Sequence, residues 1–547
     1  MPKLVFVTGG VLSSVGKGIV CSSIGKMLQV RGYKVTAIKI DPYINVDSGT
    51  MNPLQHGEVF VTDDGGEIDL DMGHYERFLN LDLPRDQNIT TGQIYRAVIE
   101  AERRGDYLGR CVQIIPHVTD EIKRRIRVVA KKSPVDVVLV ECGGTVGDIE
   151  GLPFLEAIRQ MRLEEGYENT LFVHVALVPI LDVTGEEKTK PAQHSIQELR
   201  RIGIQPDAVV ARSERMLQTE PRSKIALFGS VPEKAVFCSH TVKCAYQIPM
   251  ILDDQGMGEF LCQRLGLPPR QPDWSDWQSM LKGFMESTYE LRIAMCGKYA
   301  NLADSYVSVN EALRVAGAVS GARVSIDWVE TEIFEGKGAN LDSLSAYDGI
   351  LVPGGFGVRG TEGKIAAIEY ARTSNVPYLG LCLGFQLAVV EFARHVCGLR
   401  DANSTELNPR TRHPVVFLMP EQRGVRKKGG TMRLGAYPVK ILPNTFTHKL
   451  YDSDTVYERH RHRYEVNPEY WPTLVKHGLV FSGATEDGTR KEILELPKQR
   501  FFLATQFHPE FKSRPGRPDP AFRGFIEACL DRKLTSIRSD GRRQHPD

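Results

Sequence analysis

Along the first half of the chain, short β-branched apolar runs alternate with amphipathic stretches of helical period. Residues 4–7 form the first run, residues 19–30 carry a helical pattern, and residues 35–40 form the next run. Apolar runs this short, separated by helices, predict strands buried on both faces of a parallel sheet. Further strands are expected at 135–140, 170–178, 207–211, 224–228 and 248–252, which together make one large α/β domain over residues 1–267. The pattern then breaks. Pro268, Pro269 and Pro272 precede Trp274, Trp277 and a short helical stretch at 280–285, so residues 268–290 read as an interdomain linker. A second α/β series, with strands expected at 292–296, 324–329, 349–352, 378–381, 415–418 and 501–507, occupies residues 291–535. The polar, weakly basic residues 536–547 read as a flexible tail.

Length agrees with this division, because 547 residues exceed what one hydrophobic core usually holds. Charge narrows the partners. Against 68 Asp and Glu stand 69 Lys and Arg, a formal charge of +1, so no net field draws the chain to nucleic acid or to an acidic membrane. Any anion must be held by a local group of side chains. The ten cysteines include no CxxC pair and no Cys/His cluster at zinc spacing, which disfavours a disulfide framework and fits a reducing cytoplasm. Residues 4–7 are too short for the apolar core of a signal peptide, and the apolar region 379–393 is interrupted by Gly384, Gln386 and Glu391, so no membrane span is expected.

Two glycine-rich turns carry the chemistry. In the first, Val5-Phe6-Val7-Thr8-Gly9-Gly10-Val11-Leu12-Ser13-Ser14-Val15-Gly16-Lys17-Gly18 follows a strand and opens a helix. Backbone N–H groups of such a turn and the helix N-terminus cradle phosphate oxygens, while Lys17 supplies a point charge. Gly18 stands where the usual Ser or Thr would reach Mg²⁺, so the metal must be held elsewhere. Glu141, at the end of an apolar strand, and Asp71, in the acidic run Glu67-Ile68-Asp69-Leu70-Asp71, are the two carboxylates placed for it. Without the preceding strand and these acids, the turn would read equally well as a tight connection.

The second turn is Gly380-Leu381-Cys382-Leu383-Gly384, a cysteine between two glycines after an apolar strand and before an amphipathic helix at 386–396. A sharp turn of this kind lifts the side chain above the sheet, and the helix N-terminus behind it favours the thiolate. His508, in Gln506-Phe507-His508-Pro509-Glu510, is the candidate base, and Glu510 the carboxylate that fixes its tautomer. Pro353-Gly354-Gly355-Phe356-Gly357 offers backbone N–H groups to an oxyanion. A cysteine by itself is more often a small core residue, and the other nine keep that reading.

The glycine-flanked Cys382 with His508-Pro509-Glu510 resembles a class I glutamine amidotransferase domain. The N-terminal half resembles the amidoligase domain of the CTP synthase family. The most specific runs are Lys39-Ile40-Asp41-Pro42-Tyr43-Ile44-Asn45-Val46-Asp47, Gln55-His56-Gly57-Glu58-Val59-Phe60-Val61-Thr62, Gly73-His74-Tyr75-Glu76-Arg77-Phe78, Gly143-Gly144-Thr145-Val146-Gly147-Asp148-Ile149-Glu150 and Lys188-Thr189-Lys190-Pro191. The resemblance covers nearly the whole chain. It implies an N-terminal P-loop-type parallel sheet joined to a C-terminal class I glutamine amidotransferase α/β domain. The implied activity is ATP-dependent amination of UTP to CTP, the last step of CTP biosynthesis, with glutamine or ammonia as nitrogen donor and a 4-phosphorylated UTP intermediate.

By the same resemblance, ATP phosphates lie on Ser14, Val15, Gly16, Lys17, Gly18 and Ile19 with Lys39, Mg²⁺ on Asp71 and Glu141, and adenine near His240, Thr241 and Val242. UTP is assigned Ser13, Asp148, Ile149, Glu150, Lys188, Thr189, Lys190, Pro191, Ala192, Gln193 and Lys224. L-Glutamine is assigned Gly355, Leu383, Gly384, Phe385, Gln386, Glu406 and Arg463, and its hydrolysis Cys382, His508 and Glu510. A cytoplasmic homotetramer, feedback inhibition by CTP and activation by GTP are also implied. The lysine that the family associates with GTP activation, soon after a strand end at Lys298-Tyr299, is replaced here by Val307. The basic stretch 420–431 reads as a lid near the glutaminase rather than a nucleic-acid patch.

Two rivals remain at this point. Another P-loop amidoligase with a glutaminase domain, such as a cobyrinic or cobyric acid synthase, would share ATP, Mg²⁺ and the cysteine triad, but not the pyrimidine-site runs. A non-catalytic nucleotide-sensing assembly protein would not need Lys17, Asp71, Glu141, Cys382, His508 and Glu510 all intact.

Overall fold

A computed structural model of the protein describes residues 2–52, 56–132, 134–181, 185–297, 303–336, 340–425 and 429–543. The first apolar run forms strand β1 (Lys3–Gly10) and the next forms β2 (Val35–Asp41). With β3 (Asn88–Thr90), β4 (Val137–Cys142), β5 (Thr170–Leu177), β6 (Ala208–Ser213) and β7 (Val236–His240), they build a parallel sheet in the order β7-β6-β5-β1-β4-β2-β3. Strand β1 lies between β4 and β5, so the chain winds outward to either side of it, and the carboxyl ends of the strands there are where open sheets of this kind take their ligands.

Two of the expected strands are helices. Residues 224–228 lie in the helix Thr219–Gly229 and residues 248–252 in the helix Ile248–Asp254. In the first, Ile225, Ala226 and Gly229 are buried while Leu227 is 76% exposed, which is a helical rather than an alternating pattern. In the second, Pro249 sits in the first turn, where its missing N–H costs nothing. Five apolar residues alone do not separate the two periods. The outermost strand, β7, comes instead from Val236–His240.

A second sheet contains β8 (Tyr289–Gly297), β9 (Ala322–Glu330), β10 (Gly349–Val352), β11 (Tyr378–Leu381), β12 (Arg433–Ile441), β13 (Thr455–His462), β14 (Val480–Ala484), β15 (Lys491–Glu495) and β16 (Phe502–Thr505). Its order is β9-β8-β10-β11-β16-β15-β14-β12-β13. Strands β9, β8, β10, β11 and β16 are parallel, as expected of an α/β core, and β15, β14, β12 and β13 extend it antiparallel. Both faces are covered: Ile293 and Met295 belong to a core with Leu313, Leu381 and Phe522, while Ala294 and Cys296 belong to one with Ile350, Phe385 and Val389. The expected strand at 415–418 belongs to a separate three-stranded sheet as part of His413–Leu418.

By their contacts, Met1–Ser48 with Asp71–Trp277 form one compact unit, and Gly49–Leu70 with Gln278–Asp547 form another. The segment 49–70 therefore packs in the second unit although it interrupts the first in sequence. Its hairpin pairs Phe60–Val61 with Glu67–Ile68. Charge anchors it: Asp63 meets Arg459 and, at 2.7 Å, Lys512, while Arg461 meets Glu67 at 2.8 Å. The last helix, Pro520–Arg543, carries regular structure into the segment expected as a tail, and residues 544–547 lie outside the described residues. So do Lys298 and Tyr299, while Val307 opens the helix Val307–Val319.

Candidate functional site

After β1, the chain turns through Val11 (φ 79°), Ser14 (φ 57°) and Gly16 (φ 92°) into the helix Lys17–Gln29. A left-handed φ at a β-branched residue is strained, and strain of this kind gathers at ligand clamps. Two glycines show what the loop makes room for. A Cβ at Gly9 would stand 2.6 Å from Cδ of Lys17, so its absence lets that side chain fold back along the loop and donate from Nζ to the Gly144 carbonyl at 2.8 Å. A Cβ at Gly18 would stand 2.6 Å from Asp71 Oδ1 and 3.6 Å from Glu141 Oε2. The carboxylates thus occupy the space that a Ser or Thr at 18 would need, which is why the ordinary metal-reaching hydroxyl is absent.

Lys39 lies between the two acids. Its Nζ donates to Asp71 and, at 2.9 Å, to Glu141, which also accepts from the Tyr75 hydroxyl. Burial pushes the Glu141 carboxyl up despite Lys39, whereas at Asp71 burial, though the largest influence, is outweighed by Lys39, His74 and Lys17 together, and the carboxyl is held down. Burial also lowers the Lys17 ammonium, with Glu141 and Asp71 opposing it and Lys39 adding to it. Two carboxylates converging beside a phosphate-type loop are the hard oxygen donors that Mg²⁺ takes, so these residues fit such an ion.

The remaining nucleotide residues expected from the sequence lie on connections that leave the carboxyl ends of the parallel strands. Ser13 to Ile19 follow β1, Asp148 to Glu150 follow β4, Lys188 to Gln193 follow β5, and His240 to Val242 end β7. Ile149 is 81% exposed and Thr189 is buried, accepting from Gln193 Nε2 at 2.9 Å. Lys188 pairs with Glu186, Lys190 lies over the Phe228 ring, and Lys224 pairs with Glu220 at 2.6 Å along its own helix. The loop and both acids therefore converge, whereas Lys188 and Lys224 are bound by local acids.

In the second unit, Cys382 lies between β11 and the helix Leu383–His395 with φ 50° and ψ −93°, outside the ordinary basins for an L-residue. Its N–H donates to the Thr505 carbonyl at 2.7 Å, and its own carbonyl accepts from Gln386 N, which pins the turn. The sulfur meets the Arg461 carbonyl at 3.7 Å and the Gln506 amide at 3.6 Å. His508 Nδ1 faces Glu510 Oε1 at 2.7 Å, and His508 Nε2 is buried with no hydrogen-bond partner. Burial disfavours the imidazolium, but Glu510 and Cys382 outweigh it and push His508 up to about 10. Phe511 stacks on the imidazole at 5.2 Å.

A cavity of about 250 Å³ opens here, lined by Cys382, His508, Glu510, Gly354, Gly355, Phe356, Tyr306 and Arg461 among others. A Cβ at Gly354 would stand 3.0 Å from His508 Cε1, so any larger residue there would press the imidazole aside by a few tenths of an ångström. Leu383, Gly384, Phe385 and Gln386 are buried at the start of the following helix rather than in the cavity wall. Glu406 accepts from Gly357 N at 3.1 Å, and Arg463 donates to Gln422 and, at 3.0 Å, to Thr431. Neither is part of the lining. The sequence reading missed Glu58 and Val59, which line the cavity from the 49–70 segment, with Glu58 accepting from Ser308 N at 3.0 Å. It also missed Tyr75, Arg461 and Gln506. Glu58 lay within a run used only for recognition, and nothing local marked it as a neighbour of Cys382.

Among known proteins, a family model described as CTP synthase N-terminus matches residues 3–267, and the glutamine amidotransferase class-I model matches residues 301–528. A protein of Thermococcus gammatolerans named CTP synthase is 58% identical over 534 residues, covering 97% of this chain and 99% of the relative. One from Pyrococcus furiosus with the same name is 59% identical over 534 residues, with coverage of 97% and 99%. The solved glutaminase domain of Trypanosoma brucei CTPS with bound acivicin is 44% identical and matches 44% of this chain and 94% of its own, at a TM-score of 0.42.

Proposed function

The chain belongs to the CTP synthase family, and we propose on that premise that its two compact units divide one reaction between them. The protein is an enzyme that aminates UTP to CTP with ATP as co-substrate and glutamine as nitrogen donor. The division into a glutaminase and a synthetase rests on one observation above all: Cys382 on its strained turn, beside a His508 that is held by Glu510 and has an unpaired Nε2.

In the glutaminase, Cys382 Sγ attacks the side-chain amide carbon of glutamine. His508, raised to about 10, already holds the proton drawn from Cys382 and passes it to the leaving nitrogen, so ammonia departs and a glutamyl thioester remains for water to cleave. Glu510 keeps Nδ1 protonated and stabilises the imidazolium. Gly354 and Gly355 bring backbone close to the reacting carbon, where N–H groups meet the oxyanion. Arg463 and Glu406, opposite in charge, suit the α-carboxylate and α-ammonium of glutamine.

In the synthetase, Lys17 and the backbone of residues 14–19 hold the ATP phosphates, with His240, Thr241 and Val242 at adenine. The uracil 4-oxygen is a poor leaving group, so its phosphorylation prepares carbon 4 for ammonia. Asp71 and Glu141 would hold Mg²⁺, which supplies charge neutralisation on phosphate oxygens when bound. Lys39 then keeps the two carboxylates from repelling each other. Ser13, 148–150, 188–193 and Lys224 serve UTP. A cytoplasmic homotetramer with CTP feedback belongs to the same reading, while Val307, in place of the lysine tied to GTP activation, counts against a GTP response. No helix among the described residues is long and apolar enough to cross a membrane.

The test follows CTP formation from UTP, ATP, Mg²⁺ and either glutamine or ammonia. Cys382→Ala lowers the glutamine-driven rate by roughly a thousandfold or more while the ammonia-driven rate stays near that of the unaltered protein. Loss of both rates would undo the two-site division, and no CTP from either donor in the unaltered protein would undo the activity.

A further inference from the structure

Behind the cysteine site, on the opposite side of β13 from Arg459 and Arg461, lies a buried group that the glutaminase chemistry does not use. His460, His462 and Glu492 place one ligating atom each within 4.8 Å of one another, all fully buried. Nδ1 of His460 faces the Glu458 carbonyl at 2.9 Å, and Nδ1 of His462 faces the Tyr464 carbonyl at 2.9 Å. A carbonyl and a carboxylate only accept, so His460 carries a proton on Nδ1 and, toward Glu492, a second on Nε2, whereas His462 carries one on Nδ1 and turns a bare Nε2 inward to Arg433. That spacing would suit a transition metal, but the place of the cation is filled. Arg433 Nη1 stands 2.6 Å from Glu492 Oε1 and 3.5 Å from His462 Nε2, while His460 Nε2 stands 3.0 Å from Glu492 Oε2.

Glu492 and the two residues that flank His460 are hydrogen-bonded to the reacting residues or their immediate neighbours. The Glu492 carbonyl accepts from Gln506 N at 2.8 Å, and the Gln506 side chain reaches the Cys382 sulfur. The Arg459 carbonyl, one residue before His460, accepts from His508 N at 2.8 Å. The Arg461 carbonyl, one residue after it, meets the Cys382 sulfur at 3.7 Å. The His460 ring also packs against Phe507, the residue before the catalytic histidine, at 5.9 Å between centroids.

We propose that His460 is a positioning residue for the glutaminase, clamped between the Glu458 carbonyl and the Glu492–Arg433 pair so that β13 holds both His508 and the Cys382 sulfur in register. This rests on the reading of Cys382 and His508 as the reacting pair. A hydrogen-bonded ion group with every member satisfied is rigid, whereas an apolar contact at this point would leave β13, the edge strand of its sheet, free to shift by fractions of an ångström.

The experiment compares His460→Phe, which loses both ring contacts, with His460→Asn, whose amide reaches only the Glu458 carbonyl. Glutamine-dependent kcat falls by roughly tenfold or more in His460→Phe and by less in His460→Asn, with KM for glutamine within about twofold and ammonia-dependent CTP formation unchanged. The rate of Cys382 alkylation by iodoacetamide falls in the same order. A purely structural role would instead lower both donor activities together with the melting temperature, and that result overturns the proposal. Unchanged glutamine-dependent kcat in folded His460→Phe also overturns it. An equivalent of zinc retained by the unaltered protein after dialysis against chelator would overturn the assignment of the cation to Arg433. Cys382→Ala is the control: if that variant still uses glutamine, the underlying reading has failed rather than this one.

Discussion

The phosphate loop and the cysteine turn are built alike and poised differently. Each is a strand that ends in a left-handed residue and feeds a helix: Val11, Ser14 and Gly16 in one, Cys382 in the other. At the cysteine turn the working parts already face one another, with His508 on Glu510 and an unpaired nitrogen beside the thiol. At the phosphate loop the charges are instead spent on each other. Lys39 binds Asp71 and Glu141, and Lys17 binds a backbone carbonyl. A site for a neutral, zwitterionic substrate can be set in advance. A site for a polyanion with its cation must store its charges in mutual pairs and exchange partners when the ligand arrives, because unpaired buried charges are too costly to keep.

The largest effect is expected from Lys17→Ala. If Lys17 leaves the Gly144 carbonyl for phosphate oxygens, the variant loses CTP formation from glutamine and from ammonia alike, by on the order of a hundredfold or more. Glutamine hydrolysis at Cys382, read as glutamate release, continues. Retained synthesis from ammonia would show that Lys17 does no more than tie down the loop.

A smaller effect is expected from Gly18→Ala, and its sign is informative. Within a helix, alanine is favoured over glycine by about 1 kcal/mol, so propensity alone would make the variant more stable. The added Cβ would stand 2.6 Å from Asp71 Oδ1, with the helix backbone on one side and Lys39 holding the carboxylate on the other. Asp71 has to move, so synthesis falls by roughly tenfold from either donor while the melting temperature holds or rises. Activity unchanged in the variant would detach Asp71 from the nucleotide site.

The same comparison shows which features the sequence made legible. Both were readable as strand-to-helix turns because glycine, lysine and cysteine stand in short fixed order after apolar strands, and the structure has such a turn at each place. The parallel strands were readable where burial on both faces produced unbroken apolar runs, as in β1 and β4. The run at 224–228 was not, because its inward positions follow a helical period too short to detect. The antiparallel strands β12 to β15 were also missed. Arg459 to Arg463 look like a solvated charged strand, yet Arg459 and His460 are fully buried, since their partners Asp63 and Glu492 lie far away in sequence. Glu58 escaped for the same reason. A cavity wall built from a hairpin some 300 residues before the nucleophile leaves no periodic or motif signal at either end.

The two units also differ in how a buried histidine responds to pH. Under the phosphate loop, His174 lies between Thr8 Oγ1 at 2.9 Å and Ser195 Oγ at 2.8 Å, and burial, aided by Lys17, lowers it from 6.5 to about 3. The unfolded chain therefore binds a proton that the folded one refuses. Its contribution to stability is fully present above pH 6.5 and is lost as pH falls toward 3. His508 is shifted the other way, to about 10, so its contribution is fully present below 6.5 and is lost as pH rises through 10. The smallest predicted effect follows from the first. Between pH 8 and pH 5 the unaltered protein loses about 2 kcal/mol of unfolding free energy through His174 alone. His174→Gln, which can still bond Thr8 and Ser195, lacks that component, so the difference between the two proteins in urea midpoint grows at pH 8 relative to pH 5. The glutaminase rate at Cys382 is the same in both. Parallel losses on acidification would mean that His174 titrates in the folded protein much as it does in the unfolded chain, and that the polar chain beneath the phosphate loop is open to water.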